Sequence, residues 1–183
     1  QNYKVKNIKF WDELFTFNKE HVNQICDLLI ERNYGLNIWA YARVDRVSNP
    51  MLKKMKQAGI NWLSYGFEAG DDNVLTSVNK RATKDRAREA VRMTHDAGIH
   101  ILGNFIVGLP GDTIDSMRAT LDFAKSLNIE FINFYEMRVY PGSPLYEKSK
   151  HTGVHDWVSY DQYQPIKTEA NDFRDKAFLN YFN

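Results

Sequence analysis

The sequence predicts an α/β fold in which short parallel strands alternate with helices. Three observations carry that expectation. Apolar runs of β character, such as INWLSYGFE (60–68) and IHILGNFIVG (99–108), are separated by stretches with apolar residues at helical spacing. The connections are helix-length, which suits right-handed crossovers between parallel strands rather than hairpins. The same junction also occurs twice, in KQAGINWLSYG and HDAGIHILGNF. Each is a helix, an Ala-Gly-Ile stop and a strand, so a β/α unit is repeated.

Taken in order, YKVKNIKFW (3–11) reads as the first strand, alternating early and apolar late. Asn18 is placed to cap a helix through EHVNQICDLLIERN (20–33), where Val22, Ile25, Leu28 and Leu29 share a face. GLNIWAYAR (35–43) is the second strand. Asn49-Pro50 opens a helix that Gly59 closes, with proline in the first turn where its missing N–H costs nothing. After the third strand (60–68) comes a short helix around DDNVLTSV (71–78). Thr83 then caps KDRAREAVRMTHDAG, which Gly98 closes. After the fourth strand (99–108), Thr113 caps IDSMRATLDFAKSLN, and EFINFYEMRVY (130–140) is the fifth strand. PGSPLYEKSKHTG reads as a loop with one helical turn, and HDWVSYDQYQP as an irregular surface wrap. In EANDFRDKAFLNYFN, Phe173, Ala177, Phe178 and Tyr181 recur at helical spacing, so a last helix is expected to pack back on the body. The expected organisation is a barrel portion over 1–142 and a loop-and-helix extension over 143–183.

The chain has 183 residues, 43% hydrophobic and 26% charged, which suits one domain with a real core. A formal net charge of +1 gives no electrostatic case for nucleic acid or an acidic membrane surface. No apolar run approaches the roughly 20 residues of a membrane helix, and QNYKVKNIKF lacks the apolar core of a signal peptide. One cysteine, Cys26, excludes a disulfide framework. A cytoplasmic protein is the expectation. Because the first residue is glutamine, the chain is expected to be a piece of something longer.

Five β/α units fall short of an eight-unit barrel, which takes about 250 residues. An open doubly wound sheet and part of an open barrel both remain. In either, ligands sit at the carboxyl ends of the strands. Those ends carry Trp11-Asp12-Glu13, then Arg43 and Asp45, then Gly66, Glu68 and Gly70, then GNFIVGLPGDT (103–113), then Glu136, Arg138, Tyr140, Pro141 and Gly142. Polar residues concentrated on one rim are not what core packing alone requires. Each also has a bland reading. Asp12 and Glu13 would serve as solvated loop acids, Arg43 as a rim ion pair with Glu68 or Asp45, and the glycines as turn residues. His95, His100, His151 and His155 show no metal-ligand spacing. Cys26 falls on an apolar helix face and reads as an inert buried thiol. No P-loop, GxSxG, HExxH or GxGxxG motif occurs.

In combination, KFWDELFTFNKEHVNQICDLL, ARVDRVSNPMLKKMKQAGINWLSYGFEAGDDNVLTSVNK, GNFIVGLPGDTIDSMRATLDFAKSL, VYPGSPLYEKSKHTGV and the tail DWVSYDQYQP are more specific. In order and interval they resemble the radical S-adenosylmethionine (radical SAM) superfamily. Within it they resemble the branch whose members often carry an N-terminal cobalamin-binding domain. The resemblance implies an open (β/α)6 barrel, of which this chain would hold strands two to six. It also implies a [4Fe-4S] cluster on a CxxxCxxC loop after the first strand. Nothing like that loop occurs here, and one helical cysteine does not replace three thiolates. The chain alone is therefore expected to be inactive.

The rest of the family's SAM site maps onto this sequence as follows. Asp12 and Glu13 stand at the motif that meets the methionine amino group, without its usual Gly-Gly-Glu. Glu68 matches the acid of a Gly-x-Glu-Ser-Gly pattern, with Ala69 in place of serine. Asn104, Ile106 and Gly108 lie in the GxIxGxxE-like stretch along adenine, with Asn104 and Gly111 where glycine and glutamate would be. The Gly108–Gly111 turn would let backbone approach a nucleoside. Val139, Tyr140, Pro141 and Gly142 would supply backbone contacts to the adenine edge, and Arg43 would reach the SAM carboxylate or the substrate.

By resemblance, the parent enzyme cleaves SAM reductively to a 5′-deoxyadenosyl radical, using electrons from a flavodoxin- or ferredoxin-type donor. In cobalamin-using members it then transfers a methyl group to a small-molecule or other substrate. Two alternatives stand beside this. One is a clusterless relative acting as a binding or scaffold module. The other is a β/α-barrel hydrolase using Asp12, Glu13 and Glu68 as metal ligands or as acid and base. The first strand, with Ile8, Phe10 and Trp11, is expected to form an edge through which the chain dimerises or aggregates.

Overall fold

In a computed structural model, residues 3–71, 74, 83–138, 142 and 169–182 are described. Five strands form one sheet: β1 (Asn7–Lys9), β2 (Asn37–Ala42), β3 (Ile60–Glu68), β4 (His100–Val107) and β5 (Phe131–Glu136). They lie side by side in chain order, and every neighbouring pair is parallel. A doubly wound sheet reverses its strand order at a switch point. An unreversed order curls one way, so the architecture is a partial open barrel, with α1 (Lys19–Arg32), α2 (Asn49–Gln57), α3 (Lys84–Asp96) and α4 (Ile114–Leu127) as the crossovers.

The helices begin where capping side chains allow. The Asn18 side chain accepts N–H bonds from Glu20 and His21. Thr83 accepts from Arg86, and Thr113 forms a reciprocal capping box with Ser116. Pro50 sits in the first turn of α2, and Asn33 ends α1 in a left-handed conformation.

Strand alternation divides the sheet into two faces. Ile38, Ala40 and Ala42, then Leu63, Tyr65 and Phe67, then Ile101, Phe105 and Val107, then Ile132 and Phe134 are buried beneath the helices. Phe105 is the hub, with Phe67, Phe123 and Phe134 rings at 5.3, 6.5 and 5.4 Å. The Tyr65 hydroxyl bonds the Thr94 hydroxyl of α3 at 2.9 Å; Thr94 gives its own proton to the Ala90 carbonyl, so Tyr65 is the donor. The thiol of Cys26 is fully buried in α1, and that burial pushes its pKa up to about 11.

The last helix, α5 (Glu169–Tyr181), packs back on the barrel. Ala177 is buried in the core, the Tyr181 hydroxyl donates to the Ile129 carbonyl at 2.7 Å, and Lys125 donates to Asn180 at 2.7 Å. Phe173 and Tyr181 meet the core as their spacing predicts. Phe178 does not: it stays 43% exposed and packs edge-on against Phe182.

Two strands are shorter than the sequence suggests. The first is three residues, not nine, because Lys4 adopts a left-handed φ of 50° and the strand pairs only with β2 among the described residues. The fifth ends at Glu136. The short helix expected at 71–78 and the loop and wrap before α5 lie outside the described residues, apart from Asp71, Val74 and Gly142.

The opposite ends of the strands are closed by polar pairing. Glu130 accepts the Ile101 N–H at 2.8 Å and faces His100 at 3.0 Å and His95 at 3.5 Å. Burial works to raise the Glu130 pKa, but the Ile101 N–H and His100 outweigh it and hold the carboxyl below its ordinary value. The two histidines are thus partners of a structural carboxylate, and no group of three or more metal-ligating side chains occurs among the described residues.

Candidate ligand site in the barrel interior

The strand residues that point away from the helices build the inner face. Along β3 it runs Trp62, Ser64, Gly66, Glu68, so side-chain volume falls away toward the middle and returns as a carboxylate. The gap is a cavity of about 370 Å³. It is lined by Trp11, Glu13, Leu14, Tyr41, Ala42, Arg43, Ser64, Gly66, Glu68 and Asn104. That volume lies at the small end of the range for small-molecule sites.

The wall on the β1–β2 side is aromatic and held by a cation. The Lys9 ammonium lies 4.1 Å from the Trp11 ring centroid, 3.8 Å from Trp39 and 4.8 Å from Tyr41. Glu68 ends β3 with φ of 65° at a break in the register with β4, a conformation that a residue with a Cβ adopts only when its surroundings impose it. The floor is a hydrogen-bond ladder. Asn104 donates to the Ser64 hydroxyl at 2.8 Å and to the Tyr65 carbonyl at 3.2 Å, and accepts from Asn133 at 3.1 Å. Beside the ladder, the Tyr135 phenol pKa is raised, by burial first and by Tyr41 second.

Of the residues singled out in the sequence, Glu13, Arg43, Glu68 and Asn104 come together around this cavity. Of the two partners open to Arg43, the structure selects Asp45. The guanidinium grips it bidentately at 2.8 and 2.9 Å, and those hydrogen bonds hold Asp45 below the ordinary carboxylate range while raising Arg43. The Asp12 carboxylate turns back to the Leu14 N–H at 2.9 Å and is not part of the lining. Ile106 packs with Ala69, Val74 and Leu109. Val139, Tyr140 and Pro141 lie outside the described residues.

The Gly108–Gly111 turn is filled from within. The N–H groups of Gly108 and Leu109 donate to one oxygen of Asp112, at 2.8 and 3.1 Å, while the other accepts from Ser116. Gly108 has φ of 78°, and a Cβ there would come within 2.9 Å of the Ala170 Cβ of α5. The Gly108 and Leu109 amides are thus engaged by the turn's own aspartate. Gly70 answers to close approach: a Cβ there would meet the Ala119 carbonyl oxygen at 2.7 Å.

Tyr41 and Ser64 were not singled out in the sequence, although both line the cavity. The signal was present as parity: in WLSYGFE, Leu63, Tyr65 and Phe67 form one face and Trp62, Ser64 and Gly66 the other.

The radical SAM superfamily model matches residues 4–124. The chain belongs to the radical SAM superfamily. Among its relatives, an uncharacterized methyltransferase of Pyrococcus horikoshii is 29% identical over 98% of this chain and 41% of its own length. The anaerobic magnesium-protoporphyrin IX monomethyl ester cyclase of Rubrivivax gelatinosus is 28% identical over 93% of this chain and 34% of its own length. The chain thus spans well under half of each. The solved radical S-adenosylmethionine methyltransferase TsrM of Kitasatospora setae, with cobalamin and a [4Fe-4S] cluster bound, superposes with a TM-score of 0.72. It is 18% identical, over 79% of this chain and 30% of that one, a likeness of fold. No helix among the described residues is long and apolar enough to cross a membrane.

The residues present bear on the family's two resident groups differently. A [4Fe-4S] cluster is held by several thiolates; the chain's single cysteine is buried in α1 as a high-pKa thiol and does not fit. SAM fits the cavity better. Its ammonium, carboxylate and nucleoside call for acceptors, a cation and a flat wall, and Glu13 and Glu68, Arg43, and Trp11 with Tyr41 are of those types.

Proposed function

We propose that this chain is the SAM-binding and substrate-facing part of the catalytic barrel of a longer radical SAM enzyme, one that transfers a methyl group with cobalamin. The observation that carries the reading is the cavity over β3, lined by Glu13, Arg43 and Glu68, in a chain of this superfamily. In this reading Glu13 and Glu68 accept N–H and O–H groups of the ligand. Arg43, oriented by Asp45, sets positive charge at the rim for a carboxylate. Trp11 and Tyr41 cover a flat group and exclude water. SAM, when bound, supplies an activated methyl group and a cleavable S–C5′ bond. The cluster ligands, the flavodoxin- or ferredoxin-type donor and cobalamin come from outside these residues, so the chain alone is inactive, and its β1 edge pairs with another segment or copy. Relatives named as methyltransferases support methyl transfer; the relative named as a cyclase supports ring formation as the runner-up.

Ligand-observed NMR titration of SAM into the chain tests the first half, with a Glu68→Gln loss of about tenfold expected for a charge-assisted hydrogen bond. Anaerobic iron and sulfide quantification with a 5′-deoxyadenosine assay on the longer protein tests the second. About four irons per chain and SAM cleavage are expected. No cluster and no cleavage would leave a clusterless binding or scaffold module.

A further inference from the structure

The polarity of the ladder beneath the cavity is fixed by one atom. The Tyr65 carbonyl oxygen only accepts, so the Asn104 group facing it at 3.2 Å is the NH₂. The same NH₂ therefore gives its other hydrogen to the Ser64 oxygen at 2.8 Å, and the Asn104 oxygen accepts from Asn133. Both Asn104 hydrogens are engaged, and Asn104 is left with no donor for a ligand. Ser64 receives a hydrogen and keeps its own. That O–H has no acceptor among the described residues, in a side chain that is 1% exposed and lines the cavity. A buried hydroxyl with a fixed inbound bond and no acceptor among the described residues keeps a hydrogen that a ligand's acceptor can take.

Its neighbours define what that is. Ser64 lies four residues before Glu68 and level with Tyr41 in the sheet register, so it belongs to the deep, uncharged end, away from the Glu13, Arg43 and Glu68 rim. We propose that Ser64 is a ligand-contacting specificity residue that donates to a ring nitrogen or oxygen acceptor on a flat, uncharged group stacked along Tyr41, with Asn104 and Asn133 as positioning residues. This rests on the cavity being the ligand site. The acceptor's source is either the adenosyl group of SAM or the co-substrate.

The test uses two probes of one shape: isoquinoline, which has a single acceptor nitrogen and is uncharged in mildly alkaline buffer, and naphthalene, which has none. Ligand-observed NMR titrations on the 183-residue chain compare wild type, Ser64→Ala and Ser64→Thr. Isoquinoline affinity is expected to fall about fivefold in Ser64→Ala and to return in Ser64→Thr, with naphthalene the same in all three. Saturating SAM then separates the sources: displacement of isoquinoline assigns the acceptor to the adenosyl group, and co-binding assigns it to the co-substrate. Isoquinoline binding that ignores the Ser64 hydroxyl, or no binding to wild type, overturns the proposal. A Ser64-dependent isoquinoline signal without any SAM binding would instead overturn the SAM reading and leave this one standing.

Discussion

On one side of β3, Leu63, Tyr65 and Phe67 are buried in the core beneath the helices. On the other, Ser64 and Gly66 shrink to make a cavity that Glu68 overlooks. The two sets alternate residue by residue from Trp62 to Glu68. The helix-facing set satisfies itself: rings stack on rings, and the Tyr65 hydroxyl ends on Thr94. The inner set is organised toward a space, through a cation-braced aromatic wall and a ladder that leaves one O–H over. Stability and ligand contact are thus separated by strand parity, and substitutions a single residue apart should have different phenotypes.

Phe105→Ala should give the largest effect. Its ring is fully buried among three others, so removing it should cost about 3–5 kcal/mol in urea denaturation. Ligand affinity per folded molecule should not change; a specific loss of binding without loss of stability would break the separation. Tyr65→Phe should cost about 1 kcal/mol, since Thr94 keeps its bond to the Ala90 carbonyl and no buried donor is stranded. A much larger loss would mean that the hydroxyl is tied to more than Thr94.

A smaller effect is expected from acid titration at the far end of the strands. Because Glu130's folded pKa is depressed, its contribution to stability is fully present above its unfolded value of about 4.3 and is lost as pH falls through the lower folded value. Glu130→Gln should remove that part of the acid dependence, read from urea midpoints across the range. SAM affinity at neutral pH should be untouched.

Local signals were legible in the sequence: the caps at Asn18, Thr83 and Thr113, the third strand from Ile60 to Glu68, and the family. What depends on distant atoms was not. Whether Arg43 grips Asp45 or Glu68 depends on how the β2 end turns into its next residues. That Asp112 folds back onto the Gly108 and Leu109 amides depends on the shape of the whole turn. The first strand loses its opening residues to Lys4, whose left-handed backbone no periodicity announces. Ser64 and Tyr41 were within reach, since parity alone puts them on the inner face. Charged residues gather at the strand ends, whereas Ser64 is small, neutral and lies deeper in, so no charge marks it.

The measurement that tests the central claim most directly is SAM titration into Gly66→Leu. Gly66 lies within β3, lines the cavity and is not among the positive-φ glycines, so a leucine side chain there is expected to fill the cavity. The account predicts that saturable SAM binding disappears while the urea stability shifts by less than about 1 kcal/mol. Unchanged SAM binding in a folded Gly66→Leu protein would contradict it and place the ligand elsewhere.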